Sequence, residues 1–108
     1  MTPYENLTTR AAHAVGLSGT FSQGMFILDK PSMEKWGEAL FDPLGMNADA
    51  FMLAGWLDMD TSYTASAAFA RPHLTATGTV CELFNGDKFK AMRLAIVHCA
   101  INIKNPKL

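Results

Sequence analysis

His13, His73, His98, Cys81 and Cys99 are the soft metal ligands and strong nucleophiles that this 108-residue sequence offers. Their spacing argues against joint use. No Cys-x-x-Cys, His-x-x-x-His or His-Glu pairing occurs to begin a metal site. His98 and Cys99 are neighbours, and on a helix they would diverge by about 100°. A reactive cysteine needs a cationic, partly exposed setting. Cys81 and Cys99 both lie in apolar runs, which predicts buried free thiols and no disulfide framework. Asp58 and Asp60 fit a polar connection better than an acid–base dyad. The sequence therefore predicts no catalytic residues, no metal and no cofactor.

Phosphate chemistry has one candidate. There is no Walker-type loop and no Gly-x-Gly-x-x-Gly. Asn85-Gly86-Asp87-Lys88-Phe89-Lys90 stands at an expected helix start, with Arg93 close behind. Helix amino termini with basic side chains hold anions. Arg71 and His73, at an expected turn, could join Lys88, Lys90 and Arg93 around a nucleotide or phosphodiester.

The third candidate is a contact surface. Trp36, Phe41 and Trp56 are large aromatic anchors that read first as core. Four of the seven methionines (Met25, Met33, Met46 and Met52) fall between residues 25 and 52. Methionine suits adaptable contact surfaces. The stretch 17–35 is long for a connection, and long connections are often functional. These features single out Phe26, Lys30, Glu34, Lys35, Trp36 and Glu38 as partner-binding residues.

Bulk properties limit what the elements can be. The chain is 49% hydrophobic with mean hydropathy +0.08, enough for a compact interior in one domain spanning 1–108. The net charge of −1 hides an asymmetry. Residues 29–60 carry seven acids against two bases, and 71–108 carry six bases against two acids. Each half could steer a charged partner. The first residues lack an apolar signal region, and no apolar run approaches the roughly 20 residues of a membrane span. The expected compartment is the cytoplasm.

The elements follow from periodicity and punctuation. Thr2-Pro3-Tyr4-Glu5 predicts a capped helix with Tyr4, Leu7, Ala11, Ala14 and Val15 on one face and Gly16 past its end. Residues 17–35 read as loop, except for a short buried strand at Met25–Leu28 and a short helix from Ser32 to Leu40. Asn47 is expected to cap a helix to Leu57, with Ala48, Phe51, Met52, Gly55 and Trp56 on one inward face that Leu53, Ala54 and Leu57 widen. Residues 61–70 and 74–84 alternate at strand period and predict a hairpin turning near Arg71–His73. A very apolar helix over 87–103 closes the chain and stops at Asn105-Pro106. The expected fold is α+β: a small, mainly antiparallel sheet covered by amino-terminal, central and carboxy-terminal helices.

Trp36, Phe41-Asp42-Pro43-Leu44, Asn47-Ala48-Asp49-Ala50-Phe51 and Ala91-Met92-Arg93-Leu94-Ala95-Ile96-Val97 carry a likeness. In that order they resemble the small proteins of tailed phages and prophages grouped as NinX-like and phage ABA-sandwich domains. The likeness covers residues 36–57 and 87–101. It implies a phage accessory protein and hands over no catalytic residues. From it follows the expectation of a non-catalytic inhibitor of a bacterial anti-phage defence system, anti-CRISPR-like, acting by protein binding in the host bacterial cytoplasm. A nucleotide-signal sponge using the anion-binding residues is the alternative, and a nucleic-acid-binding accessory in phage recombination is another. A homodimer is a further expectation from the apolar fraction.

Overall fold

Thr2 and Glu5 open helix α1 (Pro3–Ala14) as the sequence predicts. The Glu5 amide donates to Thr2 Oγ1 at 3.1 Å, and the Thr2 amide reaches back to Glu5 Oε1 at 3.5 Å. These are the two bonds of a capping box. The helix ends at Gly16, whose φ of +76° suits a residue without Cβ. The Gly16 amide donates to His13 O and the Leu17 amide to Ala12 O, which is the Schellman pairing. Thr8, Ala11, Ala12 and Ala14 are buried along this helix, while Tyr4 stays 38% exposed. The computed structural model describes residues 2–29, 40–73 and 78–104.

The Gly- and Ser-rich stretch after α1 is a strand rather than a loop. β1 (Gly19–Ser22) and β2 (Met25–Leu28) form an antiparallel hairpin with Ser22 opposite Met25. Gln23 and Gly24 both have positive φ, as the tight two-residue turn requires. Composition hid β1 because only Phe21 is a large apolar residue in it. In β2 the alternation is clear: Phe26 and Leu28 are buried and Met25 is exposed. Trp36 and the helix expected from Ser32 lie outside the described residues. Leu40, its expected last residue, instead bridges Ile27 of β2.

Helix α2 (Asn47–Trp56) starts where predicted but not as predicted. Met46 is the N-cap, with no side-chain cap bond. Asn47 turns its Oδ1 to Arg93 instead. The buried face is Asp49, Ala50, Leu53 and Ala54, so Phe51 is left 54% exposed. Leu53 and Ala54 are buried and Trp56 and Leu57 pack on the core as expected, whereas Ala48 and Phe51 turn outward and Asp49 and Ala50 take the inner positions.

The second sheet corrects the predicted hairpin. β3 (Met59–Tyr63), β4 (Ala67–Pro72) and β5 (Val80–Leu83) are antiparallel in the order β3-β4-β5. Residues 61–70 are therefore two strands, not one. The chain reverses because Thr64 Oγ1 accepts from the Ala67 amide at 3.1 Å and the Thr64 amide donates to Ala67 O at 2.9 Å. Such a hydroxyl-held turn leaves the hydropathy alternation intact, so the sequence pattern passes through it. The break at His73 is as expected, and residues 74–77 lie outside the described residues.

Asn85 (φ +48°) and Gly86 (φ +89°) make the turn into α3 (Lys88–Lys104). Asp87 Oδ1 accepts from the amides of Phe89 and Lys90 at 3.1 and 3.0 Å, capping the helix. α3 packs on α1, α2 and all three strands of the second sheet. Ala91, Ala95, Ile96, Val97, Ala100 and Ile101 are buried along it. Ala68 and Ala70, both fully buried, let the helix lie close on β4. Each of Leu53, Ile96 and Val97 contributes about 1.5–3 kcal/mol by leaving water. The fold is α+β, with helices on a small antiparallel sheet. No helix among the described residues is long and apolar enough to cross a membrane.

The thiols differ from each other. Cys99 is buried as expected, and burial pushes it up to about 11. Cys81 is exposed, contrary to expectation. On strand β5 Val80 packs on the core and Glu82 faces His98 on α3, at 3.9 Å, so Cys81 and Leu83 point outward.

Candidate functional site

The five residues expected around an anion do not converge. Arg71 and His73 lie at the Met59 end of the β3–β4 pair, where Asp60 takes both. Its Oδ2 is 3.5 Å from Arg71 Nε and its Oδ1 is 2.9 Å from His73 Nδ1. Lys88 sits at the other end of β3, with its ammonium 5.6 Å from the Tyr63 ring and 5.4 Å from the Phe89 ring. Arg93 turns toward α2, donating to Leu44 O at 2.8 Å and to Asn47 Oδ1 at 2.6 Å. Lys90 is exposed in the first turn of α3. The amides of that turn that would meet a phosphate are taken by Asp87.

Asp60, Ser62, Arg71 and Thr79 line a shallow cavity of 320 Å³ on the second sheet. Asp60 also orients the His73 ring, which does not line this cavity, as a carboxylate orients a general base. The nucleophile of such an arrangement is not assembled: neither Ser62 nor Cys81 is hydrogen-bonded to His73. Among the described residues no three His, Cys, Asp or Glu side chains gather as metal ligands.

Of the expected partner-binding residues, Lys30, Glu34, Lys35, Trp36 and Glu38 lie outside the described residues. Phe26 lies in the core at 3% exposure and is not an outward contact. Its place in β2 puts it inward with Leu28, so that Met25 is the outward neighbour. Phe26 links a run of edge-to-face rings, Tyr4–Phe21–Phe26–Phe41, with centroids 5.3–6.3 Å apart. This run ties the exposed end of α1 to the buried Phe41 and fixes the region rigidly.

Above that run is a pocket of 230 Å³. Phe26 and Phe41 form its buried part, and Met25, Leu40, Met46 and Tyr4 surround them. These four stay 38–46% exposed although large and apolar. Their positions are firmly set. Met25 stands at the hairpin turn, and Leu40 is held by its bridge to Ile27. The Phe41 amide donates to Phe26 O at 3.1 Å, and the Met46 amide to Asp42 O at 2.9 Å. The Asp42 amide donates at 2.7 Å to Asp49, a carboxylate buried in the first turn of α2 where the helix dipole favours it.

Among the described residues Asp42 is the one charged residue lining the pocket. Its Oδ1 accepts from the Tyr4 hydroxyl at 2.5 Å and from the Gly45 amide at 3.0 Å. Burial, followed by the Asp42 carboxylate, raises the Tyr4 phenol well above its ordinary range, so it stays a proton donor. The arrangement has the make-up of a binding pocket. An apolar, aromatic-floored cavity carries a few fixed polar groups.

Tyr4, Leu40 and Asp42 were missed as site residues by sequence reasoning. The density of methionines between residues 25 and 52 was the signal that pointed to this region. The pocket draws on three stretches far apart in the chain, and no local pattern joins them. No family model, no curated protein and no solved structure matches this chain.

Proposed function

We propose that this chain is a non-catalytic protein-binding module, and that the pocket ringed by Tyr4, Met25, Leu40 and Met46 is the centre of its contact surface. One observation carries the reading: four large apolar side chains, held by hydrogen-bonded backbone, remain in water around a single cavity. Clustered exposed apolar groups are the mark of a contact surface, and methionines adapt to a partner's shape. The expected contact residues Lys30, Glu34, Lys35, Trp36 and Glu38 join the chain between β2 and Leu40, two of the parts that build the pocket.

The resemblance to small phage proteins supplies the kind of partner: a bacterial anti-phage defence complex, inhibited by occupation of one of its surfaces. This step rests on analogy, since fold alone does not carry function. A sponge for an anionic ligand has less support, because Arg71 and His73 face Asp60 and Arg93 faces Asn47.

The test compares the tagged wild type with a Met25→Gln/Met46→Gln variant in host lysate. Both positions are exposed, so the variant keeps the core. The expected result is one complex that co-purifies with the wild type and not with the variant, and whose activity stops when the wild type is added. Equal capture by both proteins, or release of a nucleotide with no protein partner, overturns the reading.

A further inference from the structure

We infer that the pocket accepts a lysine or arginine side chain of the protein partner, with Asp42 as its counter-charge. The inference rests on the protein-binding reading above and names the chemistry of what fills the cavity.

The pocket combines two features that one kind of side chain satisfies together. Its walls are thioether, aliphatic and aromatic: Met25, Phe26, Leu40, Phe41 and Met46. Its one charge among the described residues is Asp42. Lysine and arginine have the matching form, an apolar stem with a charged tip.

The state of Asp42 adds the decisive detail. Both hydrogen bonds to its side chain come from neutral donors, and both end on Oδ1. Oδ2 accepts none among the described residues, and no cation pairs with this carboxylate. Asp60, by contrast, is paired with Arg71 and His73. An apolar partner that covered the pocket would strip water from Asp42 without replacing its interactions, which costs free energy. A cationic tip turns that cost into a charge-assisted hydrogen bond. The Tyr4 ring, which also lines the pocket, offers a π face to the same cation.

The bonding pattern also provides a clean variant. Asp42→Asn keeps Oδ1, and with it both the Tyr4 and the Gly45 hydrogen bonds, while it removes the charge. The probes are n-butylguanidinium and n-pentylammonium, with N-butylurea as the neutral analogue. They are titrated into protein carrying labelled methionine methyls and backbone amides, followed by NMR. The expected result is saturable shifts at Met25, Met46, Leu40 and Gly24 with the cations. N-butylurea should bind about tenfold more weakly, as expected for loss of one charged hydrogen bond. Asp42→Asn, with an unchanged amide spectrum elsewhere, should abolish that preference. Equal binding of cation and urea, a preference that survives in Asp42→Asn, or shifts confined to other surfaces would overturn the inference. So would self-association abolished by Met46→Gln, because the occupant would then be a second copy. If the cations fail while Met25→Gln/Met46→Gln still loses its partner, the protein-binding reading stands and only the cation is wrong.

Discussion

Adding a single methyl group at Gly45 should displace Asp42, and the loss can be estimated from the geometry. A Cβ at Gly45 would lie 2.3 Å from Asp42 Oδ2 and 3.0 Å from its Cγ. The backbone at Gly45 has no positive φ, so alanine is conformationally allowed and the conflict is steric alone. Asp42 must swing away, which breaks the bonds from the Tyr4 hydroxyl and the Gly45 amide. Bonds to a charged group contribute about 1.5–3 kcal/mol each, with partly exposed ones at the lower end. Their loss of about 3 kcal/mol is offset by about 0.4–1 kcal/mol, because alanine restricts the unfolded chain. Gly45→Ala should therefore destabilise the wild type by about 2 kcal/mol. In an Asp42→Ala background nothing obstructs the methyl and no bonds remain to lose. There the same change should stabilise by about 0.4–1 kcal/mol. The assay is urea unfolding of the four proteins of this cycle, read by circular dichroism with a common slope. Additivity, with Gly45→Ala equally harmful in both backgrounds, would refute the reasoning.

Three further predictions concern Thr8, Cys99 and Cys81, away from the pocket. The Thr8 hydroxyl is buried without a hydrogen-bond partner, so Thr8→Val should be neutral or stabilise by about 1 kcal/mol in the same unfolding assay. A loss of 1 kcal/mol or more would show that the hydroxyl is satisfied. Cys99 keeps its proton to about pH 11 in the folded chain against an ordinary value of 9.0. Its contribution to stability is thus complete below pH 9 and declines as pH rises from there through 11. Cys99→Ala should flatten that decline, although Tyr4, also raised, contributes in the same direction above its ordinary value of 10.0. Iodoacetamide at neutral pH should modify Cys81 and leave Cys99 intact in the native protein.

What could be read from the sequence was local. The Thr2–Glu5 capping box, the Gly16 helix end and the Asn85-Gly86-Asp87 turn depend on residues within a few positions of one another. Each is found as expected. The β3–β4 turn was hidden because Thr64 makes it with its hydroxyl, without the glycine or proline that usually marks a reversal. On α2 Leu53 and Ala54 are buried as expected, but Phe51 was misjudged: hydropathy favours it, whereas Asp49 and Ala50 occupy the inner side of the first turns. Cys81 was misjudged because Val80, on the opposite face of β5, is the residue that packs on the core, so Cys81 points outward. The residues expected around an anion do not converge, because Asp60 holds Arg71 and His73, Asn47 holds Arg93 and Lys88 lies over Tyr63, none of which sequence spacing shows. The pocket was out of reach because Tyr4, Gly24, Leu40 and Met46 meet only through the tertiary fold.

Every helix and the whole of the larger sheet lean on α3. Without it Leu53, Ala68 and Ala70 would lose the surface they are buried against. A ribosome that has not yet made α3 holds a chain with the ring run of Tyr4, Phe21, Phe26 and Phe41 but without the interior that α1, α2 and the larger sheet share. Folding must wait until α3 has emerged, and then the whole core closes together. Until that point the growing chain depends on the cell's chaperones to keep its apolar segments apart. A stop codon before Lys88 should leave no folded fragment, only material for proteolysis.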